Sequence, residues 1–308
     1  MMVTKKMKIF VLTSLLVAGN AAYANVEGQQ AGYATTEQLA NALASALRSQ
    51  SAEQIEDLFG TEALDVMPTG ETFEDRAIMS SFIEAFDTEH FVQEIYGKYG
   101  VLMIGSDNWA FPMPMIRGED GMWTFDVEEG LQEMVHRQIG RNELETIEIL
   151  KTYVDAQLEY KSTDWDGDGV LEFAATVISD EGEKNGLYWP GGNSPAGELF
   201  ARASANGYVF DGEEQGPEPY EGYVYRMFSS QSDAAPGGAM DYMLNGHQIA
   251  GHAAMAVPAE YGVTGIMSFM VSENGIILEQ DLGEDGLDKS FEMESFDPTD
   301  GWVAFLPN

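Results

Sequence analysis

The chain has 308 residues, 52 of them acidic and 15 basic, a net charge of −37, and no cysteine. With 44% apolar and only 22% charged residues it has the material for packed cores, so the charge reflects scarce lysine and arginine and not a disordered composition. A disulfide framework is excluded, and nucleic acid is not expected as a partner, because neutralising phosphate requires Lys and Arg.

Residues 1–24 carry the features of an export signal. Lys5, Lys6 and Lys8 precede an apolar run from Ile9 to Val17, and Ala22-Tyr23-Ala24 offers a small-x-small cleavage pattern. That run is too short to span a bilayer, and no later stretch approaches the roughly 18 apolar residues required. The mature chain is therefore expected to be periplasmic or secreted, with no membrane span. Residues 25–34 read as a polar lead-in.

The next hundred residues, 35–141, predict an N-terminal α+β domain. Thr35 and Gln38 form one capping box and Ser51 and Gln54 a second, each followed by apolar residues at helical spacing: Leu39, Leu43, Ala46 and Leu47, then Ile55, Leu58 and Phe59. A third helix over 72–87 is expected to turn Phe73, Ala77, Phe82 and Phe86 to one side. The period then shortens. His90–Tyr96 and Val101–Ile104 read as strands, and Met113–Arg117 and Met122–Asp126 flank a hairpin turn at Gly118–Gly121. Helices followed by a small antiparallel sheet are similar to the cystatin and nuclear-transport-factor-2-like arrangements, in which a sheet wraps a helix.

Residues 142–308 predict a second α+β domain. Gly140 marks a break, and Asn142 to Glu145 form a third capping box. Behind it a helix over 143–161 carries Leu144, Ile147, Leu150, Val154 and Leu158 as its apolar stripe. Val170–Ile178, Gly222–Ser229, Ala250–Pro258, Gly265–Ser272 and Ile276–Leu282 read as strands, with Asn274-Gly275 as a hairpin turn and a short helix near Ala196–Ala205. One long helix packed on an antiparallel sheet is the resulting picture.

Between that helix and the first strand lies the one segment with evident chemistry. Asp164, Asp166 and Asp168 fall at positions 1, 3 and 5 of a loop with Gly169 at position 6, the spacing of a calcium loop. Alternate side chains of a tight turn point inward, and glycine permits the bend that follows. Val170 offers its carbonyl from position 7 and Glu172 its carboxylate from position 9. Position 12 is Ala175, where the usual bidentate glutamate is missing, so a ligand from elsewhere must close the shell or the affinity is modest. The competing reading is an Asp/Gly turn whose carboxylates cap backbone amides. His247 and His252, five residues apart, lack metal-ligand spacing, and neither receives a role.

Several separated blocks carry a resemblance. Ile139 to Leu144, Asp155-Ala156-Gln157, Asp164 to Gly169, Gly186 to Trp189, Ala235 to Ala239 and Pro258 to Gly262 stand in an order that resembles the bacterial family filed as domain of unknown function 2950, exported proteins with no assigned activity. The resemblance runs from about Thr35 to the end and departs from the family pattern at His252, where an aromatic residue is expected. Asn142-Glu143 at the start of the helix, with Ala156, Gln157 and Tyr160 near its end, also resembles the exposed part of pilin and pseudopilin helices. That likeness implies a pilin-like second domain, without the hydrophobic half-helix that builds a filament.

Taken together, the sequence predicts an exported, non-enzymatic, calcium-stabilised protein that interacts with an envelope or extracellular partner. The alternative is a periplasmic hydrolase or ligand-processing enzyme with its site in the loops between 185 and 252. That enzyme would have to gather Asp241, His247 and a serine (Ser229, Ser230 or Ser232) or an arginine in one pocket.

Overall fold

In a computed structural model of the protein, residues 30–61, 72–165, 167–196, 219–299 and 301–306 are described. The expected signal, the first half of the lead-in, and all but the first residue of the helix expected near 196–205 lie outside them. The fold is mixed α+β and divides into two compact units between His136 and Arg137.

The N-terminal unit opens with α1 (Thr36–Ser49), α2 (Ala52–Phe59) and α3 (Phe73–Thr88). Thr35 and Ser51 cap the first two, accepting from the amides of Gln38 and Gln54, and Thr72 and Asp75 close a reciprocal box at the third. Five antiparallel strands follow: β1 (His90–Ile95), β2 (Tyr99–Ile104), β3 (Trp109–Ala110), β4 (Met115–Arg117) and β5 (Trp123–Phe125). Their order is β1-β2-β4-β5, with β3 also on β2, and the 118–121 turn joins β4 to β5. Leu39, Leu43, Ile55 and Phe59 from the helices meet Leu102, Ile104, Met115 and Phe125 from the sheet, with Phe59 stacked on Phe125 at 4.8 Å. On α3 the buried stripe is Met79, Phe82 and Phe86, and Ala77 is exposed. Ala77 stands five residues before Phe82, about 140° round the helix, so the two cannot share a face.

The long helix departs most from expectation. Helix α4 spans Val127–Lys161, 35 residues, and passes Gly140 without a break. Its start is capped by Asp126, whose Oδ1 accepts from the amide of Glu129 at 3.2 Å. The reciprocal half of a capping box is not made, since the Asp126 amide donates to the Pro114 carbonyl at 2.8 Å, and the hairpin reading of 122–126 concealed this cap. Within the N-terminal unit, the first turn buries Val127, and a Cβ on Gly130 would stand 2.5 Å from Met113 Cγ.

The C-terminal unit contains the rest of α4, then a parallel pair, β6 (Thr176–Ile178) and β7 (Gly186–Tyr188). Next come β8 (Tyr223–Phe228) and two short antiparallel pairs, β9 (Ser230–Gln231) with β10 (Met240–Asp241), and β11 (Met243–Leu244) with β12 (His247–Gln248). Strands β13 (Ala253–Pro258), β14 (Met267–Ser272) and β15 (Leu278–Asp281), helix α5 (Gly286–Glu292) and β16 (Val303–Ala304) complete it. The main sheet is antiparallel in the order β16-β15-β14-β13-β8. Ile147, Leu150, Tyr153 and Val154 of α4 pack with Tyr223, Tyr225, Ala254, Ala256, Phe269 and Val271 on one face. Met255, Val257 and Met270 point the other way, into a second cluster with Tyr242 and Phe296. Central β13, covered on both faces, is buried along its whole length.

Two members of the expected stripe fail: Leu144 is 60% exposed and Leu158 56% exposed. The buried face of α4 contains Asn142, Thr146 and Gln157 instead, polar residues to which hydrophobic periodicity is blind. Each has a partner. Asn142 Nδ2 donates to the Thr264 carbonyl at 2.8 Å, and Thr146 Oγ1 lies 3.2 Å from the Tyr225 hydroxyl. Glu143, expected only to cap a helix start, accepts from the amides of both Ile266 and Met267 through Oε1, at 3.1 and 3.0 Å. Gln157 forms a reciprocal pair with Ala174: Nε2 donates to the carbonyl and Oε1 accepts from the amide, both at 2.9 Å.

The strand expected over 170–178 shrinks to Thr176–Ile178. Upstream of it Ala174 is paired with the Gln157 side chain, and the Phe173 amide donates to the Gln248 carbonyl at 2.7 Å. Replacing Gln157 by leucine keeps the volume but strands a buried amide and carbonyl at Ala174, each costing about 1–3 kcal/mol. Urea unfolding of Gln157→Leu should show a loss of about 2–4 kcal/mol; a midpoint equal to wild type would show that the pair adds nothing.

His252 is fully buried between Tyr153 (ring centroids 5.3 Å) and Phe173 (4.7 Å), and among the described residues neither ring nitrogen has a hydrogen-bond partner. Burial pushes the imidazole down to about 4, and the charge of Lys161 acts in the same direction. The folded state thus holds His252 neutral while an unfolded chain protonates it near 6.5. Its contribution is complete above pH 6.5 and is lost as pH falls toward 4, a difference of about 3 kcal/mol. The variant His252→Phe should remove that part of the slope and be more stable than wild type at pH 5. Stability profiles that stay parallel between pH 7 and 4 would refute this account.

Candidate metal centre

The end of α4 is anchored before the loop begins. Tyr160 donates its hydroxyl to the Lys184 carbonyl at 2.8 Å, and Trp165 Nε1 donates to the Tyr160 carbonyl at 3.0 Å. Trp165 packs on Trp189 at 4.9 Å between ring centroids, with the Lys184 ammonium 5.4 Å from each ring. Trp189 is buried in the core beneath α4, a plug and not a pocket wall.

From this anchor the chain turns through the aspartate loop. Asp164 accepts from the Gly167 amide through Oδ1 at 2.8 Å and from the Gly169 amide through Oδ2 at 3.0 Å. Gly167 and Gly169 have φ of +79° and +90°, values that side chains resist, so the bend expected at position 6 is present. Asp168 Oδ1 accepts from the Val170 amide at 2.7 Å. Asp166 lies outside the described residues.

Among the described residues, three metal-ligating side chains converge: Asp168, Glu172 and His247, with one ligand atom from each lying within 4.8 Å of the others. His247 Nδ1 lies 3.3 Å from Asp168 Oδ2 and 3.2 Å from Glu172 Oε2. The His247 and Asp168 side chains are each 32% exposed and Glu172 18%, so the cluster opens to solvent on one side. It is preformed by backbone as well: Glu172 Oε2 also accepts from the Gln248 amide at 3.1 Å, beside the Phe173–Gln248 bond. Oriented carboxylates with an imidazole between them can hold a divalent ion.

Of the expected ligands, the structure gathers Asp168 and Glu172 with His247. Asp164 has both oxygens directed at loop amides, as in the competing turn reading, and Val170 contributes its amide to Asp168. The third side chain that could serve as a ligand is His247, 75 residues beyond Glu172 and unassigned by spacing. No local signal identifies it, because β12 is brought to the loop only by tertiary pairing. Among the described residues, no side-chain hydrogen bond joins Asp241, His247 and Ser229, Ser230 or Ser232: Asp241 Oδ1 accepts from the Met243 amide, and His247 Nδ1 faces Asp168 and Glu172. No described helix is long and apolar enough to cross a membrane.

Comparison with known proteins yields one family. The model described as "Protein of unknown function (DUF2950)" matches residues 30–305. No curated protein and no solved structure matches the chain.

Proposed function

The chain belongs to the DUF2950 family, and we propose that it is an exported, non-enzymatic interaction protein of the cell envelope whose C-terminal unit is stabilised by a divalent ion. The observation that carries the ion is the meeting of Asp168 and Glu172 with His247 beside an already bent aspartate loop. Calcium is the ion that the Asp164, Asp166, Asp168, Val170 and Glu172 spacing predicts, at the modest affinity of about 0.1–1 mM typical of extracellular modules. Export is supported by the basic, then apolar, then small-residue order of residues 1–24. An interaction role is supported by the charge of −37, which favours cationic partners and repels anionic surfaces.

A bound ion would join α4's end to β12, so its effect belongs to the stability of the C-terminal unit and not to a reaction. Protein stripped with a chelator should unfold at a lower temperature than protein in excess divalent ion, because an ion at about 100 times its Kd adds about 2.7 kcal/mol. That corresponds to a shift of several degrees. Superimposable melting curves with chelator and with calcium at about 100 times that Kd would eliminate calcium, and an intact mass that retains residues 1–24 in the envelope fraction would eliminate processing at Ala24.

A further inference from the structure

The donor set built by the fold differs from the one spelled by the loop. Calcium takes six to eight oxygens at about 2.3–2.6 Å and gains little from imidazole. Here a ring nitrogen stands between two carboxylates, 3.3 Å from Asp168 Oδ2 and 3.2 Å from Glu172 Oε2. A tetrahedral ion with bonds of about 2.0–2.2 Å holds its ligands about 3.4 Å apart. Those two edges are therefore already set to the span of a small, borderline ion.

The geometry points to Asp168, Glu172 and His247 as a site for a divalent transition ion of the zinc class, bound in preference to calcium through the His247 imidazole. This rests on the reading that the loop holds a divalent ion, and it changes which ion. The three side chains would supply two oxygens and one nitrogen, leaving the solvent-exposed side for water. Backbone bonds hold the carboxylates in place independently of any ion. Asp168 Oδ1 takes the Val170 amide and Glu172 Oε2 the Gln248 amide, while the Phe173–Gln248 bond ties the two segments together. Asp164, its oxygens engaged by Gly167 and Gly169, shapes the bend and is not required as a ligand.

The test is calorimetric titration of the metal-stripped full chain with zinc and, separately, with calcium at pH 7. The variants His247→Gln and Asp168→Asn are titrated in parallel. Cobalt(II) is added as a spectroscopic stand-in whose visible bands report tetrahedral nitrogen–oxygen coordination. Zinc binding at one saturable site about tenfold or more tighter than calcium, weakened at least about tenfold by His247→Gln, supports the assignment. Unfolding curves in chelator verify that the variants fold; should His247→Gln not fold, Asp168→Asn carries the same comparison. Calcium binding as tightly as zinc, with His247→Gln neutral, overturns the assignment and leaves the calcium loop standing. Zinc affinity indifferent to both variants overturns it in favour of scattered surface carboxylates. Failure of both ions to bind overturns this inference and the ion-stabilised reading together.

Discussion

Gln157 bonds both the amide and the carbonyl of one residue, Ala174, and also donates to the Tyr153 hydroxyl, with its side chain fully buried. A side chain on a helix thereby does what a neighbouring strand would do, and fixes the height at which the chain leaves the loop and re-enters the core. Much follows from that height. With Ala174 held, Phe173 is placed to donate to Gln248, and Glu172 to receive the Gln248 amide and the His247 ring. Without it, the segment 171–174, which has no ladder of its own, would be positioned only by packing and by the bonds of Glu172 and Phe173 to Gln248.

The other polar contacts of α4 act in the same way. Apolar burial is non-directional, and a helix resting on a sheet through Ile147, Leu150 and Val154 alone could slide or roll at modest cost. Asn142 on the Thr264 carbonyl, Glu143 on two successive amides before and at the start of β14, and Thr146 against Tyr225 each require one register. Hydrogen bonds add modestly to net stability when made but are expensive to leave unmade. Their service here is to penalise every alternative alignment. His252 is an exception, a buried imidazole without a hydrogen-bond partner among the described residues, and its burial restricts the acid range over which the fold keeps full stability.

The acidic composition acquires a local meaning at the end of α4. Elsewhere a charge of −37 is a diffuse property, a surface that repels its like. At the loop, Asp168 and Glu172 are brought together by backbone constraints that oppose their mutual repulsion, and His247 stands between them. The fold thus gathers negative charge and an imidazole at one particular point.

How much of this was legible depended on the range of the interaction concerned. The two caps at Thr35 and Ser51, the 118–121 hairpin, the Asn274-Gly275 turn and the positive-φ glycine at 169 were readable, because a few neighbouring residues decide each through local backbone energetics. The order of helices and strands was likewise set by periodicity. Where α4 began, which of its faces was buried, and how little of 170–178 became strand were not, since Asp126, Asn142 and Gln157 act through partners that hydrophobic patterning does not weigh. The aspartates of the loop announced themselves by spacing. His247 could not, for 75 residues separate it from Glu172, and only the folding of β12 against the 172–174 segment turned a distant histidine into a neighbour.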